Sequence, residues 1–140
     1  MKMILPVGKK KAWRLITSHR GICSWFPAHL EGKIEAGEQL RFDWRGERSE
    51  NYKVLYLGPK HSSFRLQQSV GVKVSIYLHG RLTTLTLEVE YPGTPKAKRD
   101  QASEVARWAF FLVDLKSVAL GGPDLRNNLQ GRSWVKGFID

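Results

Sequence analysis

The stretch KRDQASEVARWAFFLVDLKSVALGGP, Lys98 to Pro123, decides the fold. Val105, Trp108, Ala109, Leu112, Leu115 and Ala119 fall at helical spacing and form one apolar stripe. Gly121, Gly122 and Pro123 stop it, because glycine takes the left-handed closing turn without a Cβ clash and proline cannot continue a helix. The spacing predicts one helix from Lys98 to about Leu120, reaching about 33 Å at ~1.5 Å per residue, enough to cross a whole sheet. Just upstream, Thr94 and Asp100 are the candidate N-caps, and Pro95 suits a first helical position.

The segments before it supply a sheet. In EQLRFDWRG, Leu40, Phe42 and Trp44 alternate with Arg41, Asp43 and Arg45, the period of a strand with one dry and one wet face. The same alternation runs through NYKVLYLG, SSFRLQQ, VKVSIYLHG and LTTLTLEVEY, with turn residues between them. Consecutive strands of this kind join as hairpins into an antiparallel meander. Two shorter strands, Met3 to Val7 and Ala28 to Glu35, are expected to extend it. Between those two lies KAWRLITSHRGICSWFPAHLEG, Lys11 to Gly32, two helical pieces broken at Gly21 and stopped by Pro27. Neither is long enough to be stable alone in water, so both must lean on the rest of the fold.

With 140 residues, 41% of them hydrophobic, the chain can bury a core, and no Pro/Gly/Ser-rich run divides it. One domain over residues 1–140 is expected, with 121–140 as a tail packed on it. Cys23 is the lone cysteine, which excludes an internal disulfide and cysteine-pair zinc sites and fits a reducing compartment, the cytoplasm. The apolar run in MKMILPVGKKK is too short for a signal-peptide core or a membrane span. The net charge is +10, and Met1 to Leu30 hold six bases and no acid. No base-reading motif accompanies that charge, so sequence-specific nucleic-acid recognition is not expected.

The order strand, two short helices, strands, long helix resembles the helix-grip fold of the START-like, or SRPBCC, superfamily, an α+β fold. AWRLITS followed by GICSWF resembles the opening helix pair of that superfamily through Trp13, Leu15, Thr17, Ile22, Trp25 and Phe26. LEGKIEAGEQLRFDW, the Thr84-Leu85-Thr86 segment and RWAFFLVDLKSVALGGPDLRNN resemble its bacterial branch related to the activator of the ninety-kilodalton heat-shock protein ATPase. The resemblance implies a curved antiparallel sheet of six to seven strands around the C-terminal helix. It further implies a cavity between them that binds a hydrophobic or amphipathic small molecule without catalysis. Trp25 and Phe26 would close one end of that cavity, and Trp44, Tyr56, Phe64, Ile76, Leu87, Trp108, Phe111 and Leu112 would line it. The alternatives are a chaperone-ATPase-activator-like protein that binds a chaperone or another protein partner, and a polyketide cyclase-like enzyme.

Polar side chains at inward positions would set specificity, since a buried hydroxyl or amide must find a partner. Tyr56, Tyr77, Gln68 and His79 are the candidates, although strand period points Tyr77 and His79 to solvent. Catalytic signatures are missing: no G-x-S-x-G elbow, Walker loop, H-E-x-x-H or Gly-rich dinucleotide motif occurs. His19, His29, His61 and His79 lie at no metal-ligand spacing, so neither a metal nor a cofactor is expected. Cys23, four residues after His19, reads as a small buried hydrophobe rather than a nucleophile. Asp124 and Arg126 read as a latch that caps the turn after the long helix and ties down the tail.

Overall fold

The structure, a computed structural model, describes residues 1–44 and 48–126. The chain runs β1 (Lys2–Ile4), α1 (Lys9–Thr17), α2 (His19–Cys23), β2 (His29–Glu31), β3 (Gln39–Trp44), β4 (Arg48–Gly58), β5 (Ser63–Gln68), β6 (Lys73–His79), β7 (Thr84–Glu90) and α3 (Pro95–Ala119). Seven antiparallel strands form one sheet in the order β1-β7-β6-β5-β4-β3-β2. The meander predicted from period-2 patterning is therefore present, and β1 is added beside β7 to close the far side. α3 lies across the concave face, which makes this the expected helix-grip arrangement.

Both short strands are shorter than expected. β2 ends at Glu31 because Gly32 turns the backbone to φ +107°, where a Cβ would sit 2.4 Å from the Gln39 carbonyl oxygen. α3, in contrast, starts earlier than Lys98. Thr94 is the N-cap, its Oγ1 accepting from Ala97 N at 3.3 Å, and Pro95 fills the first helical position, where its missing N–H costs nothing. Thr94→Ala should therefore lower stability by about 1 kcal/mol, readable as a shift of the urea midpoint at unchanged slope.

The stripe on α3 also differs from the expected one. Trp108, Phe111, Leu112, Asp114, Leu115 and Ala119 are buried, while Val105 is 45% exposed and Ala109 is exposed. The line facing the sheet runs Ala97, Asp100, Glu104, Arg107, Phe111, at i, i+3, i+7, i+10, i+14, so Val105 and Ala109 fall about 100–200° away from it. That line is polar in its first half and apolar in its second. α3 consequently buries no residue before Trp108 and grips the sheet with its C-terminal half only.

Two side chains, Lys11 and Arg126, fasten that half. Lys11 Nζ of α1 donates to the Ala119 carbonyl at 2.8 Å, a cation placed at the negative end of a long helix. After the helix stops, Arg126 donates to the carbonyls of Cys23 (2.7 Å), Phe26 (3.0 Å) and Pro27 (2.8 Å), pairs with Asp124 at 2.7 Å and approaches Asp114 at 3.3 Å. Asp114 is fully buried and also accepts from Leu125 N at 2.8 Å. The expected latch is thus built as one fork joining α3, the α2–β2 corner and the chain through Arg126. The remainder of the expected tail, residues 127–140, lies outside the described residues.

Candidate functional site

The expected cavity would lie behind Trp25 and Phe26. There the side chains close on one another. Phe26 is the hub: its ring centroid lies 5.3 Å from Trp25 and 4.9 Å from Trp108 in stacked pairs, and 5.4 Å, 4.9 Å and 5.0 Å from Phe42, Trp44 and Phe111 in edge contacts. Trp25 Nε1 donates to the Leu15 carbonyl at 2.9 Å, which ties the plug to α1. The void these residues share with Phe64 and Ile76 measures about 10 Å³, barely the space that one water needs. Trp25, Phe26, Phe64, Ile76, Leu87, Trp108, Phe111 and Leu112 are all buried, and Trp44 is half-buried. In this structure they belong to one hydrophobic cluster, with Trp44 packed against it.

Tyr56, expected to line the cavity, sits on the opposite face at 38% exposure, beside Arg65, whose guanidinium lies 5.8 Å from its ring. A β-bulge between Val54 and Tyr56 causes this. Glu50, Tyr52 and Val54 alternate inward, the extra residue flips the phase, and Leu57 replaces Tyr56 opposite the buried Phe64. Tyr77 and His79 face outward as strand period predicts, His79 Nε2 lying 2.8 Å from Thr86 Oγ1. Cys23 is half-buried, and burial pushes its thiol pKa up against the opposing pull of Arg126, away from nucleophile chemistry. His19 bonds to the Gly32 carbonyl at 2.7 Å.

Among the described residues, an open space between helix and sheet lies under the N-terminal half of α3. It is a cleft of about 480 Å³. Ala97, Asp100 and Glu104 of α3 form its roof, Glu50 and Asn51 of β4 and Gln68 of β5 its sheet side, and Val70, Val72, Tyr91 and Pro92 its apolar wall. The first half of the helix stands off because its inward line is polar and cannot pack on an apolar sheet without leaving charges unpaired. Gln68, named from sequence as a specificity candidate, lines this cleft.

A charged cluster forms the inner end. Glu50, with its side chain 8% exposed, accepts from Tyr52 Oη at 2.9 Å, pairs with Arg48 at 2.9 Å and lies 3.4 Å from Arg107, which also reaches Glu104 at 3.4 Å. The Arg107 guanidinium is 4.6 Å from the centre of the Trp44 ring, a cation–π contact away from bulk water. Burial, then the neighbouring Glu50 carboxylate, push the Tyr52 phenol well above its ordinary pKa, so it is a neutral donor to Glu50. Burial and Glu104 likewise raise Tyr91, whose hydroxyl has no hydrogen-bond partner among the described residues. Tyr91 lines the cleft, so its buried hydroxyl lies beside the space that a ligand would fill.

Glu50, Arg107 and Tyr91 were not singled out from sequence, yet one signal was present. Glu50 occupies an inward position of a strand whose next inward residues are Tyr52 and Val54, and an acid on a dry face demands a partner. Arg107 can supply it only because α3 crosses that strand at this point.

No family model matches the chain, and no curated protein does. Solved structures do. DynU16, a protein in the dynemicin biosynthetic locus, superposes with a TM-score of 0.75 at 26% identity over 89% of this chain. The match takes in 48% of DynU16, so the chain spans about half of that protein's length. The Aha1 dimer of Colwellia psychrerythraea matches with a TM-score of 0.69 at 19% identity, over 85% of this chain and 92% of that one. The AHSA1-like protein of Aeromonas hydrophila matches with a TM-score of 0.64 at 13% identity, over 86% and 92%. Seven antiparallel strands gripping a long C-terminal helix define the SRPBCC class of fold. Within that class, the chain has an Aha1-like fold. No helix among the described residues is long and apolar enough to cross a membrane.

Proposed function

We propose that this protein binds an amphipathic small molecule, without catalysis, in the cleft between the N-terminal half of α3 and the sheet. The observation that carries the reading is the cleft itself: about 480 Å³, within the range of about 300–1,000 Å³ typical of small-molecule sites. Its wall of Val70, Val72 and Pro92 takes the apolar part of the ligand. Its polar lining, with Gln68, Glu50 and Glu104, takes the polar part. In this reading the ligand sits in the cleft rather than behind Trp25. The likeness to DynU16, a protein of a biosynthetic locus, supports a small-molecule ligand over a protein partner. The lone Cys23 fits a reducing compartment, and the reading places the protein in the cytoplasm.

Native mass spectrometry and dye titration test it together. The protein as purified from cells should carry a small-molecule adduct, or bind one amphipathic naphthalene-sulfonate dye per chain saturably. Ala97→Trp fills the cleft from the helix side, where Ala97 lies near the exposed start of α3, and should abolish both with little change in stability. Dye binding that survives Ala97→Trp at unchanged affinity would overturn the reading.

A further inference from the structure

On the outer face of the sheet, the β2–β3 ladder brings together three side chains that sequence spacing separates. His29 stands opposite Asp43 in the register, and Glu31, two residues on, points to the same face. One ligand atom from each lies within 4.8 Å of the others, and His29 Nε2 is 3.7 Å from Glu31 Oε1.

We propose that His29, Glu31 and Asp43 form a binding site for a first-row divalent transition metal ion. Nitrogen and oxygen ligands bind zinc at about 2.0–2.2 Å, which sets donors about 3.4 Å apart in a tetrahedron, so movements of about 1 Å close the set. His29 and Glu31 have the freedom to make them, with 66% and 59% of their side chains exposed. Asp43 is the fixed member: Ser49 Oγ donates to its Oδ1, Arg41 Nε donates to the same oxygen at 3.1 Å, and among the described residues no hydrogen bond takes the second oxygen. Such outer partners orient a ligating carboxylate.

The donor set fits the proposal. An imidazole with two carboxylates selects zinc, cobalt or nickel over magnesium and calcium, which prefer all-oxygen sites. Three protein ligands leave a position for water or for a donor from another molecule. Arg41 brings a positive charge to the same face and sets an upper limit on affinity. The i, i+2 spacing of His29 and Glu31 is meaningless on a helix and diagnostic on a strand, and Asp43 enters only through the register. That is why the histidine spacings gave no sign of it.

Isothermal titration of tag-free protein with zinc chloride at neutral pH tests the site. Saturable binding of one ion per chain is expected, with none for magnesium. His29→Ala and Asp43→Asn should each weaken it at least tenfold, while His61→Ala, at an exposed histidine in the turn before β5, should not change it. Both site variants change solvent-facing side chains, and circular dichroism of the metal-free proteins verifies that they fold. An absence of saturable zinc binding, or binding that His29→Ala leaves intact, would overturn the proposal.

Discussion

Trp25→Ala should lower the unfolding free energy by about 3–5 kcal/mol and leave dye binding in the cleft unchanged. The indole is 2% exposed, stacks on Phe26 and donates its N–H to the Leu15 carbonyl, so the substitution removes packing and leaves that carbonyl without its partner. The adjoining void of about 10 Å³ is too small to soften the loss, as a true gate facing open space would. Urea unfolding of wild type and variant measures it. A small loss of stability together with altered dye binding would make Trp25 a gate and move the binding site back to the core.

Arg126→Ala should cost about 3–5 kcal/mol near neutral pH, because it strands the Asp114 carboxylate in the interior and uncovers the carbonyls of Cys23, Phe26 and Pro27. The pH dependence separates these effects. Burial raises the Asp114 pKa from 3.8 to about 6, with the Leu125 amide and then Arg126 pulling it down. A folded-state pKa above the unfolded one favours the protonated form, so this group's contribution is full below about pH 4 and is lost as pH rises through about 6. Removing Arg126 removes part of the downward pull and carries that loss to higher pH. The cost of Arg126→Ala should therefore be smaller at about pH 5 than at about pH 7.5, as read by chemical denaturation at both. An equal cost at the two values would mean that Arg126 does not act through Asp114.

What the sequence revealed, and what it withheld, follow from the range of each signal. Strand alternation is local, so the meander from Leu40 to Glu90 was legible, as was α3 from its stripe and the Gly121-Gly122-Pro123 stop. Thr94 and Pro95 even marked the true helix start. The bulge before Tyr56 was not legible, because a single extra residue in NYKVLYLG leaves no compositional mark while reversing every face after it. The cleft was hidden for a different reason. The family resemblance pointed to Trp44, Phe64 and Trp108 as a lining, and in the structure these side chains pack in or against one hydrophobic cluster. The cleft formed where α3 presents Asp100 and Glu104, residues that read as a solvated face in isolation. Their role appears only when Glu50, from the other side of the fold, stands beneath them.

The central claim is that this helix-grip protein carries its ligand under the first half of α3 and not within the aromatic core. Mapping amide chemical shifts of the wild-type protein during titration with the naphthalene-sulfonate dye tests it most directly. Saturable shifts are expected, centred on Gln68, Val72, Tyr91, Ala97 and Glu104, with Ile16, Phe64 and Ile76 unmoved. Shifts centred on the residues around Phe26, with the cleft residues unmoved, would contradict it.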